Sequence, residues 1–435
     1  MNNINFREIL KLKNFLLLWV GQSLSQLGSS ITSFALNIWI YQEKKEAMSV
    51  ALLSFFSYLP YALVGIFAGA LIDKFQKKKL LLICDSVSAM CTLSIFCLMY
   101  FGALHLWTLC VINVAAGFMN ALKSPALKAG TALIVPKESY TTVSGLNSLS
   151  DSIISVFRPV LATCIVSIAG IKAVFIIDFI TFVIAVLSLL ILVQFPSEGR
   201  ICGEAQSKYN LITEGLQGFI YLKENKGFLY LIFFMAGINF LAAITFFNIL
   251  PAMILARTSN NENILGLVSG SIGLGGIVGG LLVTVLKPAK NKVKTIFISS
   301  ALAFLLCDIP LGAGRAAFIW IFAAFIGSLP IPFLNAAENY LLMTKIPSNI
   351  QGRIFSLQGS LVYITVSVGY VLGGLLADKV FEPLMLHSEK TAHLLGYLVG
   401  GGKGSGMALM FIITGILGGS LSIAAYFNKD IRSLE

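Results

Sequence analysis

Five ionisable residues interrupt stretches of this chain that are otherwise almost wholly apolar: Lys123, Asp151, Arg158, Asp178 and Glu338. A charge in such a run is costly, and where it persists it is paired or marks an ion or substrate pathway. Asp151 lies about eleven residues into its run and Lys123 about eleven residues from the inner end of the preceding one; at about 1.5 Å per residue both reach mid-run. Matched depth predicts a Lys123–Asp151 pair that carries protons or substrate, with mutual neutralisation as the alternative. Arg158 and Asp178 match in the same way and predict a structural ion pair. Glu338 has no counterpart of matched depth. A lone carboxylate in a low dielectric can exchange a proton, so Glu338 is a candidate coupling or substrate group, with a gate salt bridge to Lys345 as the alternative. Asp85 and Asp308 lie nearer run ends and rank below these.

Neutral polar groups form stripes. Gln22, Gln26, Ser29, Ser33 and Asn37 repeat at i, i+4, i+7, i+11 and i+15, which is one helical face. Asn113, Asn120, Ser124 and Lys128 do the same further on, and Asn239, Asn248, Asn335 and Asn339 interrupt later runs. Such groups line a polar cavity or join helices by hydrogen bonds worth roughly 0.6 kcal/mol each. Phe34, Phe55, Phe56, Phe246 and Phe247 could wall a cavity, though packing or lipid contact is the simpler role for most aromatics.

The elements that position these residues follow from composition. The 435 residues are 57% hydrophobic and 12% charged, with mean hydropathy +0.86, whereas soluble chains are about 25% charged. Twelve apolar runs fall at about 14–41, 48–72, 80–102, 106–134, 140–169, 171–195, 227–256, 262–286, 295–313, 316–345, 349–378 and 405–428. Runs of this length predict an all-α polytopic membrane protein, since a barrel gives short alternating segments. Lys11 and Lys13 precede the first run, which carries Gln and Ser and no small-residue cleavage site, so it reads as the first span.

With both termini cytoplasmic, the inner loops hold 21 Lys/Arg and the outer loops eight, as the positive-inside rule requires. The net charge of +11 is therefore spread over loops, and nucleic-acid binding is not expected. The chain divides into a bundle at 1–195, a linker with a surface-lying amphipathic helix at 196–226, and a bundle at 227–435. The bundles echo each other: at an offset of 213, Ile31, Thr32 and Phe34 fall on Ile244, Thr245 and Phe247, the pattern of parallel membrane repeats.

The segment Gly69-Ala70-Leu71-Ile72-Asp73-Lys74-Phe75-Gln76-Lys77-Lys78-Lys79 resembles the signature between spans two and three of the major facilitator superfamily, with Gln76 at a usual Gly. The resemblance implies two six-helix pseudo-repeats. It implies a gate in which Asp73 caps the span-eleven helix near Arg353, with Lys74 beside it. Pro60-Tyr61-Ala62, Ser124-Pro125-Ala126-Leu127, Ile177-Asp178 and Gly352-Arg353-Ile354-Phe355-Ser356-Leu357 resemble the macrolide-efflux branch. That branch implies a proton-coupled exporter of hydrophobic drugs in the bacterial inner membrane, acting by alternating access as a monomer on a small-molecule substrate. Antiporters of the superfamily carry a Gly-Pro motif in span five; here Pro159 matches and Arg158 replaces the Gly. Export of a siderophore, peptide or lipid, solute uptake, and a non-transporting receptor on this scaffold are the alternatives.

No nucleophile–base pair points to an enzyme. The seven cysteines and three histidines show no metal-ligand spacing, so no metal and no cofactor beyond a proton gradient are expected. Gly400-Gly401-Gly402-Lys403-Gly404-Ser405 lacks the first Gly and the Ser/Thr of a phosphate loop.

Overall fold

A backbone in hydrocarbon must satisfy its own polar groups, and a helix does so within one segment. The computed structural model describes residues 13–64, 76–136, 140–192, 219–286, 290–387 and 395–435. Among them, twelve long helical elements follow in order: α1 (Lys13–Lys44), α2 (Ala47–Val64), α3 (Lys77–Tyr100), α4 (Leu106–Ile134), α5 (Tyr140–Ala169), α6 (Ile171–Leu187), α7 in two segments (Lys226–Ile244 and Ile249–Arg257), α8 (Glu262–Val285), α9 (Lys292–Ala303, extended by Phe304–Asp308 and Ile309–Ala313), α10 in two segments (Ala317–Ser328 and Ile331–Lys345), α11 (Ser348–Leu376, extended by Ala377–Phe381 and Glu382–His387) and α12 (Ser405–Tyr426). A short α13 (Lys429–Arg432) follows. Eleven of the long elements are long and apolar enough to cross a membrane. The other, α1, has 32 residues and is made more polar by its Gln/Ser/Asn stripe.

α1 packs on α5 and α6, α2 on α4, and α3 on α4 and α6. In the later part α7 packs on α11 and α12, α8 on α10, and α9 on α10 and α12. Two further pairs join early helices to late ones: α2 with α11, and α5 with α8. Small residues let these seams close. A Cβ on Gly273 of α8 would meet the Val156 backbone at 2.8 Å, and one on Gly374 of α11 would meet Met48 Cα at 2.8 Å.

One end of the bundle gathers the start of α1, the start of α7 and the last residues of the chain. Phe15 of α1 is buried with Val135 and Val143 beside the α4–α5 turn. Gly227, opening α7, sits against Asp430 and Leu434, and Lys345 Nζ donates to the Glu435 carbonyl at 2.8 Å. This is the terminal end; the opposite one is the far end. Residues 219–224 are helical, with Phe219 and Ile220 exposed, but most of the expected linker helix lies outside the described residues.

The apolar run at 227–256 is one membrane-crossing element, Lys226–Arg257, but its helix is interrupted. The helix stops at Ile244 and restarts at Ile249. Thr and Asn side chains offer backbone and neighbours alternative hydrogen bonds. Here Thr245 Oγ1 meets Thr414 Oγ1 at 3.0 Å, and Asn248 Nδ2 donates to the Tyr370 carbonyl at 3.1 Å. The break re-aims the second segment into the centre of the far end. There Ile249, Ala252, Met253, Ile254 and Leu255 are all 0% exposed, against α1, α2, α8 and α12.

Candidate functional site

The far end is sealed by contacts that cross between the early and late helices. Asp378 stands in a π-helical turn of α11 (Ala377–Phe381), an irregularity that frequently marks functional positions. Its carboxylate accepts the backbone N–H groups of Ala47 (3.0 Å) and Met48 (2.7 Å). It thus caps the α2 N-terminus from the other side of the seam, where the helix dipole favours negative charge. Glu262, opening α8, accepts from Gln42 Nε2 of α1 (2.7 Å) and Ser167 Oγ of α5 (3.3 Å). Behind them, Arg257 donates to the Gly314 carbonyl (3.1 Å) and to the Val399 carbonyl, and Arg315 to the Tyr397 carbonyl (2.8 Å). The Gly-rich turn here is bound by its neighbours: Gly400, Gly402 and Gly404 take φ of +82°, +93° and +85°, and Glu382 accepts from Gly404 N and Met407 N.

The interior behind this seal carries the charges, in pairings that depth alone does not give. Lys123 Nζ lies 2.6 Å from Asp85 Oδ1 of α3, which corrects the expected pair with Asp151. The reason is azimuth: α4 packs on α3 and α2, whereas α5 packs on α1 and α8. Asp85 is 1% exposed and also accepts from Gln22 Nε2 at 2.8 Å. Asp151 is exposed and receives Gln26 Nε2 at 3.4 Å.

The expected Arg158–Asp178 pair is corrected too. Asp178 is 3% exposed and is met by three hydroxyls, Ser29 (3.0 Å), Thr32 (3.1 Å) and Thr92 (3.0 Å). With Asp85, Lys123, Asn120, Ser25 and Ser88 it lines a small polar cavity between α1, α3, α4 and α6. Ser88 Oγ and Gln22 Oε1 are buried there or nearby without a hydrogen-bond partner. Arg158 points elsewhere, its Cζ 5.9 Å from the centre of the Phe34 ring.

In the later helices, Glu338 of α10 is 7% exposed and accepts from Gln358 Nε2 of α11 at 2.5 Å. It therefore has a partner, which its sequence position did not show; Lys345 reaches the Glu435 carbonyl instead. Asp308, in the α9 π-helical turn, is 2% exposed and accepts from Thr414 Oγ1 at 3.0 Å.

The polar stripes divide by partner. Gln22 is buried in its bond to Asp85, and Asn239 Nδ2 turns back to the Met235 carbonyl at 2.8 Å. Ser33 is exposed with its hydroxyl on the Ser29 carbonyl. Asn37, Asn113 and Asn120 are half-buried, and Asn335 and Asn339 are exposed. Asp73 and Lys74 lie outside the described residues, as does the side chain of Arg353. The expected Asp73 gate is therefore not described, but the far end holds a contact of that kind at Asp378. A signal for it existed: Gly373-Gly374-Leu375-Leu376-Ala377-Asp378-Lys379 nearly repeats the order Gly69-Ala70-Leu71-Ile72-Asp73-Lys74.

Also missed was a ladder of tyrosines along the α2–α11 seam. Tyr61 and Tyr363 stack at 5.3 Å, and Tyr58 meets Tyr370 edge-on at 5.3 Å and Tyr363 at 6.3 Å.

Comparison with known proteins agrees with this architecture. Macrolide efflux protein A of Streptococcus pyogenes is 28% identical over 375 residues, covering 85% of this chain and 90% of that one. Macrolide efflux protein A of Enterococcus faecalis is 27% identical over 322 residues, covering 73% and 97%. Among solved structures, a mutant of the nucleoside transporter NupG superposes with TM-score 0.68 at 15% identity, covering 96% of this chain and all of that one. The family described as transmembrane secretion effector matches residues 8–401, and the chain is thus a member of that family of major facilitator transporters, a polytopic membrane transporter and not an enzyme.

Proposed function

We propose that this protein exports a hydrophobic, drug-like compound of the macrolide type, coupled to proton entry, by alternating access. The observation that carries the reading is the seal at the far end. Asp378 and Glu262 tie α1, α2 and α5 to α8 and α11 at the far end, while buried carboxylates and an exposed arginine lie behind it. A two-state element with such a seam can rock about a central site. With both termini in the cytoplasm of a bacterial cell, the far end faces outward and the described state is closed to the outside.

The two six-helix halves, 1–195 and 227–435, are the rocking bodies, joined by the linker at 196–226, and one chain suffices. Glu338 and the Asp85–Lys123–Asp178 group are the proton carriers in this reading, with Asp151 at the exposed face. Asp85, Asp178 and Glu338 are buried carboxylates, the kind of group that can couple a proton to a change in exposure. The proton gradient replaces any bound cofactor.

The test is transport of a radiolabelled macrolide into everted membrane vesicles, with and without a pH gradient. Accumulation that collapses on adding a protonophore is the expected outcome. Accumulation unchanged by the protonophore removes proton coupling, and none with any lipophilic drug removes the cargo class.

A further inference from the structure

Arg158 is a permanent cation set where an export path for apolar drugs does not need one. An arginine does not shed its proton, and a charge at this depth is tolerated only against a partner or water. Its expected acid, Asp178, is occupied by three hydroxyls. Among the described residues no carboxylate lies within ion-pair distance of Arg158. Its neighbours are the Phe34 ring and the phenols of Tyr58 and Tyr370. The side chain is nevertheless exposed, although α1, α2, α5 and α11 surround it. Its exposed face is thus left to water or a ligand, bordered by the Phe34, Tyr58 and Tyr370 rings.

The surroundings fit a particular kind of ligand. The guanidinium offers a planar fork matched to a carboxylate. Beside it the exposed Tyr58 and half-buried Tyr363 give apolar faces with hydroxyls at their rims, and the buried Tyr370 (3% exposed) backs Tyr58 edge-on. Tyr58 and Tyr61 belong to α2, and Tyr363 and Tyr370 to α11, so a ligand held between Arg158 and the ladder touches both sides of the seam that must move.

We infer that Arg158, with Tyr58, Tyr363 and Tyr370, is an anion-recognising subsite that selects cargo bearing a carboxylate on an aromatic or apolar body. This rests on the export reading only for the direction of movement and replaces its macrolide-type cargo with an anionic one, since a macrolide lactone carries no carboxylate; the binding claim stands by itself.

The test uses three fluorescent probes that share one aromatic body: dansylglycine (anionic), dansylglycinamide (neutral) and dansylcadaverine (cationic). Equilibrium binding is measured with the full-length protein in phosphatidylcholine nanodiscs. Dansylglycine is expected to bind about tenfold or more tighter than its amide, the value of one charge-assisted pair. Arg158→Gln is expected to erase that preference while leaving dansylcadaverine binding in place, and Arg158→Lys to retain part of it. Should Arg158→Gln fail to insert, the Tyr58→Phe, Tyr370→Phe double variant, which keeps both rings, is expected to reduce the preference. Equal binding of the three probes, absence of dansylglycine binding, or an undiminished preference in Arg158→Gln overturns the subsite. Displacement of dansylglycine by phosphatidylglycerol in the discs keeps the anion at Arg158 and assigns it to a lipid headgroup. Preferential binding without movement of any probe in everted vesicles supports the subsite and sinks the export reading instead.

Discussion

Lys123 and Asp85 form an ion pair, Nζ to Oδ1 at 2.6 Å, with the lysine half-buried and the aspartate fully buried. The pair joins α4 to α3 inside the early half of the bundle. Removing one member leaves the other charged and buried, which costs about 3–5 kcal/mol. Asp85→Asn and Lys123→Met are each expected to lower the melting temperature in detergent sharply. The double variant is expected to recover most of the loss, because no lone charge remains. A double variant as unstable as the two losses added would show that the residues do not act as a pair.

That pairing shows where legibility in the sequence stops. Apolar run lengths give the helices, and the Lys/Arg distribution predicts an orientation, because both depend on local composition. Depth along a helix is also legible, at one fixed rise per residue. Azimuth is not: Lys123 and Asp151 share a depth but face different neighbours, and Asp178 is claimed by hydroxyls from two helices. The break at Thr245–Asn248 was hidden because an apolar run reads the same whether continuous or interrupted. Asp378 was legible only as an echo of the Gly69–Lys74 order; its partners are backbone N–H groups, which leave no residue signature of their own.

The Asp378 cap on α2 is a latch across the seam. Asp378→Asn keeps the shape but loses the charge that the helix N-terminus favours, a loss of about 0.5–2 kcal/mol. Ser49 lies near this end of α2 and is 1% exposed, so Ser49→Cys reports opening. A membrane-impermeant maleimide is expected to label it slowly in the parent protein and several-fold faster with Asp378→Asn. Equal rates in both backgrounds would falsify the latch.

The α5–α8 seam depends on particular glycines. A Cβ on Gly273 would meet the Val156 backbone at 2.8–2.9 Å, whereas one on Gly276, a single turn away, would meet nothing within 4 Å. Gly273→Ala is expected to destabilise the protein by about 1–3 kcal/mol through overpacking, and Gly276→Ala to be neutral or slightly stabilising. Thermal unfolding of the two variants side by side decides the matter. Equal melting temperatures would mean that the helices slide apart at no cost.

Glu338 and Gln358 link α10 to α11 by a 2.5 Å hydrogen bond. Glu338→Gln preserves an acceptor for Gln358, so the fold is expected to survive with a melting temperature close to the parent's. What the variant cannot do is bind and release a proton. In the proposed mechanism it therefore separates cargo movement from the gradient: exchange of cargo across the membrane at equal pH persists, while uphill accumulation into everted vesicles disappears. Gln358→Leu tests the other half of the bond. It leaves a buried carboxylate without its donor, costing about 1–3 kcal/mol. Its melting temperature is expected to fall below that of Glu338→Gln. Uphill accumulation at the parental rate in Glu338→Gln would remove Glu338 from the proton path and leave the Asp85–Lys123–Asp178 group as the remaining carrier.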